Sequence, residues 1–172
     1  TQTSFRIPTA VATDGEILAV ADTDNNRVLI WKSIPTGSQT PPDIVLGQKN
    51  FTSGEAAVPP NASSLRGPQG VWIQDGKLFV ADTLNNRVLI WNTIPDSNGA
   101  PADFVLGQPG FNVLPDADPV TALQRVSATT LYTPVSVSSD GQRMYVADLA
   151  YDRVLIWNSI PTSSGQPADV AI

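Results

Sequence analysis

The sequence predicts an all-β chain: a β-propeller segment of four-stranded antiparallel blades, three in number and half of an expected six-bladed ring. Two observations lead there. An eleven-residue string is written three times, as ADTDNNRVLIW at 21–31, ADTLNNRVLIW at 81–91 and ADLAYDRVLIW at 147–157. Around each copy, apolar and β-branched residues fall into short runs bounded by turn residues, which is the pattern of strands rather than helices. Four such strands in series make a sheet that cannot bury both faces alone, and radial stacking lets each sheet shield the next.

The elements are clearest in the second unit. Its first strand is expected over 70–74, its second over 78–81, its third over 87–91 and its fourth over 103–106. Asp75-Gly76 supplies the first turn, as Asp14-Gly15 and Asp140-Gly141 do in the other units, because Asp and Gly tolerate the positive φ of a tight hairpin. Residues 83–86 form the second turn, and the stretch from Pro95 to Pro101, rich in Ser, Asn and Gly, forms a longer third. Register extends beyond the eleven residues: Pro8, Pro68 and Pro134 precede the units, Ile34-Pro35, Ile94-Pro95 and Ile160-Pro161 follow, and Val45-Leu46-Gly47-Gln48 returns as Val105-Leu106-Gly107-Gln108. One segment spanning 1–172 is therefore expected, with blades at about 5–48, 65–108 and 131–172. Val11, Val71 and Val137 on the first strand, and Val20, Val80 and Val146 on the second, keep their places as packing between blades requires.

The composition excludes whole classes of chemistry. The 172 residues contain no Cys and no His, which removes disulfides, thiolate and imidazole zinc sites and His-based acid–base catalysis. Sixteen acidic against ten basic residues disfavours a phosphate backbone as partner, so no nucleic acid is expected. No run of eighteen apolar residues is present, so no membrane insertion is expected. The opening TQTSF has neither an initiator Met nor a leader pattern, as in a mature form, an excised domain or a proteolytic piece. A cysteine-free chain with abundant Ser, Thr, Asn and Gln fits an extracellular or periplasmic bacterial protein.

Within each copy, Asp22, Asp82 and Asp148 end the second strand, and Arg27, Arg87 and Arg153 begin the third. Each pair straddles one hairpin, where the carboxylate can cap turn amides or pair with the guanidinium. Asn25 and Asn85 fit the left-handed backbone of that turn. These eight residues are read as a structural hairpin set. Trp31, Trp91 and Trp157 recur at the end of the third strand and are expected in the outer core. Trp72 is different, because its counterparts are Ala12 and Ser138. It lies on the first strand, which in a propeller lines the central channel, and with Gln69, Ser136 and Ser138 it makes up the expected ligand-binding face. Trp72 filling space between blades is the competing account.

The copies begin 60 and then 66 residues apart, and the extra residues fall between Gln108 and Pro134. There Asp118-Pro119 suits the start of a short helix running to Gln124. Asp116 and Asp118 could form a calcium pair, although a solvated acidic loop accounts for them as well.

The strings Pro-x-Gly-Val, Asp-Gly-x-Leu-x-Val-Ala-Asp and Asn-x-Arg-Val, best written in the second unit, resemble the NHL repeat. The Ile-Pro…Pro-Ala-Asp…Leu-Gly-Gln-x-x-Phe extension resembles a long-repeat bacterial form of it. The first unit departs by writing Ala10 for the glycine, and the third by writing Ser136 for the glycine and Tyr151-Asp152 for the Asn pair. The resemblance implies binding to protein or RNA, or metal-dependent lyase or lactonase chemistry in related propellers. The histidines expected of the lyases are missing, and the first strands carry no Asp or Glu where lactonase-like propellers place calcium ligands. The expectation is thus a non-catalytic binding or scaffolding module, with no catalytic residues, no metal and no cofactor, presenting a channel face and the loops 48–66 and 108–131 to a protein, peptide or glycan. A calcium-dependent lactonase-like or other hydrolase or lyase activity is the alternative, and RNA binding a further one. Three blades do not close a ring, since propellers need about four to eight. Self-association of two three-blade arcs, or the missing blades of a longer chain, is expected to complete it.

Overall fold

In a computed structural model, which describes residues 4–114, 120–121 and 125–172, the chain forms three four-stranded antiparallel sheets. The first contains β1 (Pro8–Thr13), β2 (Leu18–Asp22), β3 (Arg27–Trp31) and β4 (Ile44–Leu46). The second contains β5 (Gly70–Gln74), β6 (Lys77–Asp82), β7 (Arg87–Trp91) and β8 (Phe104–Leu106). The third contains β9 (Pro134–Ser139), β10 (Met144–Asp148), β11 (Arg153–Trp157) and β12 (Val170–Ala171). In every sheet spatial order follows chain order, each strand pairing with the next. No helix among the described residues is long and apolar enough to cross a membrane. Asp116, Asp118 and Gln124, on which the expected helix and acidic pair depend, lie outside the described residues.

Alternation along the strands sends side chains to both faces, and both faces of the second sheet are buried because it is packed between the other two. Ala19, Ala21, Val28, Ile30, Ile44 and Leu46 of the first sheet share a core with Val71, Ile73, Leu78, Val80, Leu89, Trp91 and Val105 of the second. The far face of the second sheet, with Phe79, Ala81, Val88, Ile90 and Leu106, shares another with Val137, Met144, Val146, Leu155 and Trp157 of the third. Burying one such side chain contributes roughly 1.5–3 kcal/mol relative to leaving it in water. The first strands β1, β5 and β9 lie side by side, while β4, β8 and β12 are the far edges.

Glycine fixes how closely the layers approach. Gly47 and Gly107, just past β4 and β8, have φ of +84° and +86°, and a Cβ on either would fall within 2.8 Å of the side chain of Leu65 or Leu131 from the following unit. Each leucine therefore plugs a socket in the preceding sheet.

The turns differ from the Asp-Gly expectation in an instructive way. Only in the second sheet do Asp75 and Gly76 form a two-residue hairpin, between paired Gln74 and Lys77, with φ of 50° and 71°. In the first and third sheets the pairing closes at Thr13–Leu18 and Ser139–Met144, leaving four-residue loops. There the aspartate acts through its side chain: Asp14 Oδ1 accepts N–H bonds from Glu16 and Ile17, and Asp140 Oδ1 from Gln142 and Arg143. Those amides hold both carboxyls below the usual carboxylate range. The left-handed residue of the second hairpin is also one place later than expected. Asn25 and Asn85 sit in short 3-10 turns, and it is Asn26, Asn86 and Asp152 that take φ of 52°, 53° and 49°.

Candidate functional site

Where the first strands converge there is a cavity of about 370 Å³, lined by residues of all three sheets. It brings together Gln69, Trp72, Ser136 and Ser138, the four residues expected on the binding face, with Thr9, Gly70 and the backbone of Val135 between them. Gly70 makes the convergence possible, since a Cβ there would stand 2.9 Å from Ser136 Cα and 3.0 Å from the Val135 carbonyl oxygen. Thr9 joins the first sheet to the second: its Oγ1 donates to the Gln69 carbonyl at 3.0 Å and lies 2.7 Å from Thr23 Oγ1. Sequence reasoning passed over Thr9, although its register position, equivalent to Gln69 and Val135, places it at the same rim. None of the lining side chains is ionisable, so the cavity offers hydroxyls, an amide, backbone groups and an aromatic surface.

Trp72 is held in place by packing. It pairs across the hairpin with Phe79 and packs against the core between the second and third sheets. The corresponding pairs are Ala12–Ala19 in the first sheet and Ser138–Tyr145 in the third. The two interfaces balance in volume: small Ala12 and Ala19 share a core with Ile73, whereas bulky Trp72 and Phe79 come where the equivalent of Ile73 is Ser139. The Trp72 indole N–H is buried and meets no acceptor among the described residues. One part of the ring thus fills the layer while another borders the cavity.

The hairpin residues lie apart from this cavity and act as a clamp. Arg27 Nε donates to Asp22 Oδ2 at 2.7 Å, Arg87 to Asp82 at 2.7 Å, and Arg153 to Asp148 at 2.9 Å. The other carboxylate oxygen accepts the backbone N–H of the segment entering each unit, Arg6, Arg66 or Tyr132, at 2.6–2.7 Å. The remaining guanidinium nitrogens reach carbonyls of that segment and of the connector: for Arg87, Ser64, Asn61 and Phe111. Asn25 and Asn85 complete the first two clamps by donating Nδ2 to the same carboxylates at 2.9 Å. In the third, Tyr151 takes that position and the Arg153 guanidinium lies 4.8 Å from its ring centroid. Burial pushes the Asp82 and Asp148 carboxyls up, against the pull of the paired arginines and the bonds they accept. The clamp's bonds run among its own side chains and to the chain's own backbone.

A second cavity of about 460 Å³ lies under the connector between the first two sheets, bordered by Gln48, Lys49, Glu55, Asn61, Ser63 and Asn98 among others. It falls on the 48–66 loop, one of the two expected to be presented to a partner. Among the described residues no cluster of three or more acidic side chains could hold a metal ion.

No protein-family model matches the chain, and no curated protein matches it. Chains of solved structures do match. One comes from a humanized mutant of the Chaetomium thermophilum Polycomb Repressive Complex 2 bound to the inhibitor GSK126, with 14% identity and a TM-score of 0.50. The match covers 95% of this chain and 30% of that one, so the present chain spans under a third of its length, and the likeness concerns the fold alone.

Proposed function

We propose that the chain is an arc of an NHL-type β-propeller and works as a non-catalytic binding or scaffolding module outside the cytoplasm. Its binding face is the cavity where β1, β5 and β9 converge, and its ligand is an uncharged hydrogen-bonding surface such as a glycan or a peptide backbone. One observation carries this reading: a cavity shared by all three sheets is lined by Thr9, Gln69, Ser136, Ser138 and Trp72 with no ionisable side chain. Such a lining can orient hydroxyls and amides and stack an apolar ring face, but it holds no group to move a proton near neutral pH. Side-by-side first strands and face-to-face layers support the propeller arrangement. The test is a glycan and peptide array followed by titration of any hit against Ser136→Trp, which fills the mouth from an exposed position. Affinity is expected to fall at least about tenfold, about 1.4 kcal/mol, with circular dichroism unchanged. A hit that binds the variant as tightly as the parent would show that the cavity is not the site.

A further inference from the structure

The segment entering each sheet meets the second hairpin of that sheet in the same way every time. Asp24 donates its backbone N–H to the Arg6 carbonyl at 3.1 Å, Leu84 to Arg66 at 3.1 Å and Ala150 to Tyr132 at 3.0 Å. The side chains at these matched positions differ. In the first sheet Arg6 Nε lies 3.3 Å from Asp24 Oδ2 and the two pair. In the second, Leu84 stands in the aspartate's place, and the Arg66 guanidinium makes no ion pair or side-chain hydrogen bond among the described residues. In the third, Tyr132 and Ala150 leave both positions without charge.

Arg66 borders a cavity of about 360 Å³ at the junction of the first two sheets, together with Asp24, Gln69 and Leu84. Its walls are fixed by the chain itself. Asn26 accepts the Gly67 N–H at 2.8 Å through Oδ1 and donates Nδ2 to the Gly54 carbonyl at 2.8 Å, and Thr23 donates Oγ1 to the Pro68 carbonyl at 2.7 Å. The Leu84 side chain, 51% exposed, lies over Gly67, where a Cβ would stand 2.7 Å from its Cδ1. Three polar groups at the cavity are not spent on these walls. The Arg66 guanidinium and the Gln69 side-chain amide have no partner among the described residues, and the Asp24 carboxylate engages only Arg6, itself 70% exposed. Gln69 also borders the cavity where the first strands converge, so the two volumes meet at one residue.

We propose that this cavity takes the carboxylate of an acidic saccharide, with a hexuronate ring beside Arg66 and the neighbouring uncharged sugar in the cavity of the first strands. The inference rests on the binding-face reading for that neighbouring sugar, while the carboxylate site stands on Arg66. A hexuronate answers every free group at once. Its carboxylate matches the planar fork of the guanidinium. Its hydroxyls donate to Asp24 and exchange bonds with Gln69, and the C–H face of the ring covers Leu84. A peptide carboxyl terminus would meet Arg66 equally well, but it offers Asp24 a single backbone N–H. Asp24 beside the site, in a chain of net charge −6, favours a glycan with isolated carboxylates over a densely anionic polymer.

The probes are trisaccharides that each carry one hexuronate, every one tested beside its methyl ester, which keeps the shape and removes the charge. Calorimetric titration should show acid forms bound at least about tenfold more tightly than their esters. Arg66→Gln should abolish that preference. Leu84→Asp writes the first sheet's ion pair into the second at an exposed position, and should abolish it too, with Arg66 intact and near-UV circular dichroism unchanged. Ser136→Trp should weaken acid and ester alike and leave their ratio as it was. If Ser136→Trp is silent while Arg66→Gln still removes the preference, the first-strand cavity fails as the binding face and the carboxylate site stands. Four results would overturn the proposal: no trisaccharide bound, acid and ester bound alike, a preference indifferent to Arg66→Gln, or N-acetyl-leucine bound in preference to its amide while the saccharides are not.

Discussion

Arg87 makes its bonds without exposing any of its side chain: one to Asp82, the others to three carbonyls, two in the turn at Asn61 and Ser64 and one at Phe111. A buried ion pair of this kind contributes little net stability over an apolar pair, but breaking it is costly because the partner is left charged and desolvated. Arg87→Met should therefore lower stability to urea by about 3–5 kcal/mol, with Asp82, its carboxyl already pushed up by burial, taking on a proton. Arg153→Met should cost less, since Arg153 is partly exposed and the third hairpin lacks the asparagine donor. Equilibrium unfolding of both variants checks the order. The Asp–Arg pairing was legible because three copies put the same two residue types at either end of one hairpin. The left-handed residue was not, since Asn25 and Asn26 are chemically the same and only the hydrogen-bond count of the 3-10 turn separates them.

Strands were readable because side chains buried on both faces leave long apolar runs, and 87–91 falls where the sequence places it, while β6 extends one residue further at each end. Turn length was less readable. The same Asp-Gly dipeptide sits in a two-residue hairpin once and in a four-residue loop twice, because cross-strand register, not the dipeptide, sets how many residues remain unpaired. Glycines at Gly76 and Gly107 look alike in sequence and differ in consequence. A Cβ at Gly76 meets nothing within 4 Å, whereas at Gly107 it would stand 2.6 Å from Leu131. Gly76→Ala should thus lose about 1 kcal/mol for its positive φ alone. Gly107→Ala adds overpacking of about 1–3 kcal/mol, and thermal melts of the two variants should rank them accordingly. The cavity was legible as a strand position, through the odd Trp72, but its closeness depends on Gly70 and on the volume exchange among Ile73, Phe79 and Ser139, which no single unit reveals.

Across the whole molecule the second sheet is covered on both sides and the third on one. Amide exchange followed by mass spectrometry should be slowest in β6 and β7 and fastest in β12, a two-residue edge strand with both residues exposed. Uniform protection across the sheets would contradict this layering. Each Leu plug belongs to one unit and its glycine socket to the unit before, so the packed module is offset from the repeat as written. Duplicating any stretch one repeat long, wherever its breakpoints fall, copies one plug and one socket together and leaves both new junctions correctly matched. A gene carrying this pattern can lengthen or shorten by unequal recombination without inventing a joint.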